Sequence, residues 1–295
     1  MSKSADAVTV VIPVHNMPER LDNIVPAWGV VLEKTGRDFQ ILIVDDGSTD
    51  NTNEIAAKLT ARVKHTRVLK HDSRKGYGAC LKTALAETKT PLFFYTAVDY
   101  PYTPSDIRVF FERIELKDEL LLKQPDLITG CRSGLQTPEL VIWIGTAWKL
   151  FWRICAGLPM TERTPWLGWR EFWFSFRVHF TYAVPLVDVN SCFKLFRTSF
   201  LKKFPIQSDG DFVHTELVAK ATFLTSIMDE VPLTPKPDPT PAMGSVRADR
   251  RRVFQQPEFS FPPPPPAATP TTPASPNPES PKSETPGTSD SNPPS

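Results

Sequence analysis

The chain has 295 residues, a formal net charge of +1 and a pI near 7.7, a balance that leaves no excess of Lys and Arg for a nucleic-acid surface. Of its 31 prolines, many crowd into residues 257–295 beside Ser, Thr, Ala and Glu, so a disordered tail is expected after roughly 250 residues that can build one large α/β domain. The four cysteines, Cys80, Cys131, Cys155 and Cys192, lie far apart with no Cys-x-x-Cys spacing, which excludes a disulfide framework or a zinc ribbon and suits a reducing compartment.

Residues 1–7 are polar and lead straight into Val8–Val14, so the expected opening is a buried strand and not a signal peptide. Pro13 falls near the strand's end, where a missing N–H does little harm. His15-Asn16-Met17 makes a turn, and Pro18 takes a tolerated first-turn position of a helix reaching about Trp28. His15 reads either as a ligand contact or as a loop histidine that packs. Asn16 suits a ligand or a bond that fixes the turn.

Phe39–Val44 is the second predicted strand, and it runs into Asp45-Asp46-Gly47-Ser48-Thr49-Asp50-Asn51-Thr52. Apolar β-favouring residues ending on two carboxylates, a glycine and small polar groups describe a buried parallel strand that stops at a ligand crevice. Asp50 or Asn51 is placed to cap a return helix to Arg62. A short strand at Arg67–Lys70 precedes His71–Gly78, where Gly76 and Gly78 allow backbone to approach a bound group and Arg74 and Lys75 bring positive charge toward it. The same stretch also reads as a plain helix start.

Leu92–Ala97 is the fourth predicted strand, with Asp99 just beyond it, and Tyr100–Asp106 turns into a helix through Ile107, Phe110 and Phe111. Asp126–Gly130 is a fifth strand that delivers Arg132. This alternation implies right-handed crossovers and a mostly parallel, doubly wound sheet. Six of the seven tryptophans then fall between Trp143 and Trp173. On a helix from Glu139 to about Ala156, Thr146, Lys149 and Arg153 form a narrow polar stripe on an otherwise apolar surface. Pro165–Tyr182 repeats the theme, with Arg170 and Arg177 among Trp166, Trp169, Phe172, Trp173 and Phe180. Such helices lie at a membrane interface, or else pack as a hairpin on the sheet or on another subunit. Asp188 and Asn190 precede a strand-like Cys192–Phe196, Phe212–Thr222 reads as an amphipathic helix carrying His214 and Glu216, and Ser226–Val231 is the last strand. Arg247, Arg250, Arg251 and Arg252 within Val246–Phe254 are open to a nucleotide or to anionic lipid.

Read together, Val10–Asn16, Val44–Thr52, Gly76-Tyr77-Gly78, Thr96–Asp99, Thr129–Arg132, Asp188–Arg197 and Glu230-Val231-Pro232 resemble the family 2 glycosyltransferases of GT-A fold, in particular the polyprenyl-phosphate sugar synthases. The resemblance runs in order from about Val8 to Pro232. It implies an α/β Rossmann-like domain with a mostly parallel central sheet flanked by helices, interrupted by an aromatic-rich helical insertion. The implied division is an extension at 1–7, a nucleotide-sugar half at 8–134, an insertion at 135–187, an acceptor side at 188–256 and a tail at 257–295.

The resemblance further implies that Pro13, His15, Asn16, Asp45, Asp46, Ser48, Gly76 and Gly78 hold the nucleotide sugar. Arg132, Arg170, Asp188, Asn190 and Glu216 face the acceptor; for Glu216 a helix-surface charge stays equally open. Asp99 and Arg132 are the implied catalytic residues, with Asp99 on a divalent ion, Mg²⁺ or Mn²⁺. Such enzymes carry Asp-x-Asp after the fourth strand, and this chain has Ala97-Val98-Asp99. One carboxylate still serves Mg²⁺, which fills its other positions with phosphate oxygens and water. The expected partners are a nucleotide sugar, a polyprenyl-phosphate lipid and the cytoplasmic face of a membrane, held peripherally. The alternatives are a transferase with a soluble or glycan acceptor, and a non-catalytic scaffold that recruits partners through its proline-rich tail.

Overall fold

A computed structural model describes residues 6–99, 102–117, 123–132, 169–224 and 226–233, together with Val253, Gln256, Glu258 and Phe259. The predicted helix Glu139–Ala156, the arginines at 247–252 and the proline-rich segment from 260 onward lie outside the described residues.

Val8–Val14 (β1) is buried along its whole length, as a central strand covered on both faces must be. It pairs in parallel with Phe39–Asp45 (β2) and with Leu92–Tyr95 (β4), and β2 pairs in parallel with Thr66–Lys70 (β3). Lys194–Arg197 (β6) is antiparallel to both β4 and Leu127–Arg132 (β5), which is parallel to Met228–Leu233 (β7). The resulting order is β3-β2-β1-β4-β6-β5-β7.

This arrangement sets one rim. Register places Val14, Asp45 and Lys70 side by side, and Tyr95, the last residue of β4, opposite Lys194, the first of β6. Because β6 runs backwards, the chain entering it comes from the rim at which β1, β2 and β4 leave. β5 is antiparallel to β6, so Arg132 and Leu233, paired at the ends of β5 and β7, finish there too. Segments after residues 14, 45, 95 and 132, and the segment before 194, therefore meet at the crevice where open α/β sheets bind ligands.

Strand pleating sends alternate side chains to two apolar layers. Val10, Ile12 and Phe94 join Leu21, Trp28 and Phe110 beneath Pro18–Glu33 (α1), Thr52–Arg62 (α2) and Ile107–Glu115 (α4). Val11, Phe93 and Tyr95 join Leu81, Phe204 and Leu217 beneath Tyr77–Glu87 (α3) and the C-terminal helix Val213–Phe223. Trp169–Tyr182 (α5) and the single turn Thr198–Leu201 (α6) complete the helices ahead of that one, which is α7.

Three expectations change. α1 continues past Trp28 to Glu33 despite Pro26 within it. A proline strips the carbonyl four residues earlier of its helical donor, and here the Asp22 carbonyl receives Arg62 Nη2 at 3.4 Å while Arg62 Nη1 meets Asp22 Oδ1 at 3.0 Å. Helix α7 is not amphipathic: Val213 through Ala221 are all buried, its polar members being satisfied internally. Strand β4 stops at Tyr95, so Ala97 belongs to the turn that carries Asp99.

Candidate active site

A cleft of about 380 Å³ opens at this rim, lined among others by Pro13, His15, Asp46, Arg74, Tyr77, Ala97, Asp99 and Asp211. Asp46 and Asp99, leaving two different strands, face one space.

Their chemistry differs. Asp46 is 5% exposed; its Oδ1 accepts bonds from His71 Nδ1 and from the Lys75 N–H, both at 2.8 Å, and its Oδ2 accepts one from the Gly76 N–H at 2.8 Å. Burial raises the carboxyl's pKa, but the His71 bond and the two backbone donors outweigh it and hold Asp46 below the ordinary carboxylate range. Asp46 is thus the peg on which the 71–76 loop hangs. Asp99 is half-buried and makes no side-chain hydrogen bond or ion pair among the described residues, and the guanidinium of Arg74 is likewise unpaired there.

Asp45, fully buried, accepts the Ser48 N–H on Oδ1 at 3.0 Å, while its Oδ2 is buried with no partner among the described residues. A buried carboxylate oxygen without a donor is costly, which makes this atom a place for a ligand N–H or O–H. Asn16 and Ser48 have a local task. Asn16 sits at φ 52°; its Oδ1 accepts the Thr49 N–H at 2.9 Å and its own N–H goes to Ser48 Oγ at 3.0 Å. Together with a bond from the Met17 N–H to Thr52 Oγ1 at 3.1 Å, these bonds tie the turn after β1 to the turn after β2. His15 Nδ1 lies 2.9 Å from the Asp46 carbonyl oxygen.

The glycines do something unforeseen. Gly76 has φ 105°, and a Cβ there would sit 2.4 Å from the Asp209 carbonyl oxygen; at Gly78 it would sit 2.1 Å from that of Ser208. The space they leave is filled by the chain's own 208–210 backbone, and the Ala79 N–H of α3 donates to Asp209 O at 3.2 Å. Gly76 still lines the cleft, but its N–H belongs to Asp46.

On the other half, Asp188 and Asn190 are buried at the rim. The Glu230 carboxylate accepts the Val187 and Asp188 N–H groups at 3.0 and 2.7 Å, and Asn190 Oδ1 accepts Thr215 Oγ1–H at 2.9 Å. The fully buried Lys194 amine donates to the Val189 and Ser191 carbonyls. Glu216 is 0% exposed and so is no surface charge. Its Oε1 accepts Gln207 N–H and Lys220 Nζ, both at 2.7 Å, and its Oε2 accepts Ser208 N–H at 2.8 Å. Burial pulls the Lys220 amine below its usual pKa even though Glu216 pushes it up. Glu216 therefore holds the 207–208 backbone and lies outside the cleft lining. β5 brings Arg132 to the rim; the side chains of Arg132 and Arg170 lie outside the described set.

Two cleft groups went unnoticed in the sequence. Asp211 was hidden in Asp209-Gly210-Asp211, an acidic turn ahead of α7 whose signal is no stronger than that of any Asp-Gly turn. Tyr77 reads as an ordinary apolar helix residue, yet it lines the cleft, and its hydroxyl is buried without a partner among the described residues.

Asp46, His71 and Cys80 also offer ligand atoms within 4.8 Å of one another. They do not suit a metal: three donors already fill Asp46, and burial, then the charge of Asp46, drive the Cys80 thiol far above its ordinary pKa, so it stays protonated. Hard oxygens at the cleft, Asp99 and Asp211, fit a divalent cation bridging a diphosphate better.

The yeast Saccharomyces cerevisiae dolichyl-phosphate beta-glucosyltransferase is 24% identical over 239 residues, covering 77% of this chain and 66% of that protein. An uncharacterized glycosyltransferase of Mycobacterium bovis is 30% identical over 168 residues, 55% of this chain and 66% of that one. The chain thus spans just under two thirds of the length of these curated relatives. Among solved structures, mannosyl-3-phosphoglycerate synthase from Rubrobacter xylanophilus superposes with a TM-score of 0.55 at 17% identity, covering 85% of this chain and 75% of its own. Glucosyl-3-phosphoglycerate synthase from Mycobacterium tuberculosis, in complex with Mn²⁺, uridine diphosphate and phosphoglyceric acid, gives 0.53 at 15% identity, covering 79% and 72%. These likenesses establish the GT-A fold. The sequence profile of glycosyl transferase family 2 matches residues 9–204, more than half of the chain, and the protein belongs to that family of enzymes.

Proposed function

We propose that this glycosyltransferase moves a hexosyl unit from a GDP- or UDP-sugar to the phosphate of a polyprenyl-phosphate lipid, with inversion at the anomeric carbon. The observation that carries the reading is the unengaged Asp99 carboxylate sharing one cleft with the unpaired Arg74. A carboxylate for a cation and a guanidinium for phosphate oxygens suit a departing diphosphate. Asp45 Oδ2 offers an acceptor for a ribose hydroxyl or a base N–H. A divalent ion, Mg²⁺ or Mn²⁺, held by Asp99 with Asp211 across the cleft in place of the carboxylate absent at Ala97, would supply charge neutralisation at the diphosphate.

A phosphate acceptor is already ionised near neutral pH, so no side chain has to remove its proton. The work left to the protein is positioning, assigned to Arg132 at the end of β5 and Arg170 on α5, with Asp188 and Asn190 shaping the sugar's side of the rim. The name of the yeast relative supports a lipid acceptor. So does α5, where Phe180 is 72% and Trp173 44% exposed beside exposed Arg177, the composition of a helix seated in a headgroup layer. No helix among the described residues is long and apolar enough to cross a membrane, and the proposed attachment, to the cytoplasmic face, is peripheral.

Asp211 favours a second reading. A hydroxyl acceptor needs a base, and a second carboxylate in the cleft supplies one; the phosphoglycerate synthases of like fold support such a soluble acceptor. Incubation with labelled GDP- and UDP-sugars, Mg²⁺ or Mn²⁺ and a polyprenyl phosphate separates the two. Label extracted into organic solvent supports the lipid acceptor; label transferred only to phosphoglycerate or glycans overturns it.

A further inference from the structure

We propose that His15 selects the nucleobase of the donor, acting as a hydrogen-bond acceptor. It favours bases whose Watson–Crick ring nitrogen carries a proton (uracil, thymine, guanine) over those whose ring nitrogen is bare (cytosine, adenine). The proposal rests on the nucleotide-sugar reading above and deepens it.

The argument starts from one bond. His15 Nδ1 lies 2.9 Å from the main-chain carbonyl oxygen of Asp46. A carbonyl only accepts, so Nδ1 carries the proton, and in a neutral imidazole the other nitrogen must then be bare. That Nε2 has no hydrogen-bond partner among the described residues, and the ring lines the cleft. The tautomer is held firmly because both ends of the bond are fixed. Asp46 N–H donates to Val14 O at 2.9 Å, its side chain is pegged to the 71–76 loop, and Asn16, the residue after His15, is locked to Thr49 and Ser48. A free ring would present either a donor or an acceptor; this one presents an acceptor.

Its place in the row decides what meets it. Across the rim the order is Asp46 after β2, His15 after β1, and Asp99 after β4. With the diphosphate at Asp99 and Arg74, the nucleoside extends from there along the ends of β1 and β2, toward His15 and the orphan Asp45 Oδ2. Both are acceptors, so this end reads donors. A bare N3 of cytosine or N1 of adenine facing Nε2 sets two lone pairs against each other, whereas N3–H of uracil or N1–H of guanine makes a bond.

The test is calorimetric binding of UDP, GDP, CDP and ADP with Mn²⁺ to the full chain, alongside N3-methyl-UDP and N1-methyl-GDP, which lack the one proton in question. For whichever of UDP and GDP binds, methylation is expected to weaken binding about tenfold, the scale of one lost hydrogen bond that leaves a partner unpaired. In His15→Phe that ratio should shrink to within about twofold, while His15→Gln, whose amide oxygen still accepts, keeps part of it. CDP or ADP binding as tightly as UDP and GDP, a methyl group without effect, or a penalty that persists in His15→Phe and vanishes only in Asp45→Asn each overturns the assignment to His15. Absence of binding by every nucleotide overturns the donor reading itself, and the inference with it.

Discussion

The two halves of the sheet use buried carboxylates alike but differ in what they keep for a ligand. On the β5–β7 side, Glu216 holds the 207–208 backbone and Glu230 the 187–188 backbone, each at hydrogen-bond lengths of 3.0 Å or less. On the β1–β4 side, Asp46 holds the 75–76 backbone in the same way, yet Asp99 makes no bond within the described protein and Asp45 keeps one oxygen unpartnered. An acid that has accepted two or three backbone N–H groups is structural whatever motif it belongs to. An acid left with unsatisfied capacity in a cleft is available for chemistry.

That contrast breaks most clearly at Asp99. Asp99→Asn is expected to lower transfer about a thousandfold, the scale of losing a group that stabilises developing charge, with an unchanged melting temperature; near wild-type turnover with Mn²⁺ present would remove Asp99 from catalysis. Glu216→Gln should do the reverse. The Glu216–Lys220 pair is 0% and 1% exposed, and cutting one partner strands a buried charge at a cost of about 3–5 kcal/mol. Urea titration measures this loss, and the apolar double replacement Glu216→Leu with Lys220→Met should recover part of it. A Glu216→Gln protein of full stability but abolished acceptor use would return Glu216 to the acceptor site.

Asp46 sharpens the comparison because it belongs to both descriptions. Its folded-state pKa lies below the unfolded value of about 3.9, so the stabilisation it provides is complete above that value and is lost as pH falls through the folded pKa. Asp46→Asn should therefore cost about 2 kcal/mol near pH 7, from charge-assisted bonds to His71, Lys75 and Gly76. The gap between variant and parent should close as the pH is lowered from about 5 toward 2. A gap independent of pH would mean that the charge on Asp46 does not hold the loop.

Much of this was legible in order. The strands, the rim and the pairing of Asp46 with Asp99 follow from apolar runs that stop on acids, because a parallel sheet buried on both faces leaves few other solutions. Long-range partners were not legible. Nothing near Asp46 in sequence announces that His71 and Gly76 will close on it, nor that Gly78 is a glycine because Ser208 passes 2.1 Å from where a Cβ would be. Glu216 was ambiguous for the same reason: its partners Gln207 and Ser208 precede it by only nine and eight residues, but a helical pattern does not say which face meets a loop. Where the fold ends was also misplaced. Glu258 N–H donates to Gln207 Oε1 at 3.0 Å and Phe259 packs on the core, although their proline-rich surroundings read as tail.

The smallest expected effect tests whether α5 belongs with the catalytic core or with a lipid surface. Phe180 is 72% exposed, so Phe180→Ser removes little packing and should leave the melting temperature within the scatter of ordinary surface substitutions. If the helix seats itself among headgroups, the same change withdraws apolar area from the bilayer worth about 1 kcal/mol, a roughly fivefold drop in flotation with anionic liposomes. Val178, two residues earlier, is buried, and Val178→Ser should destabilise the fold, so the two substitutions separate membrane affinity from folding on one helix. Equal flotation by Phe180→Ser and the parent, at low and high salt, would leave α5 an ordinary surface helix and shift the balance toward a soluble acceptor.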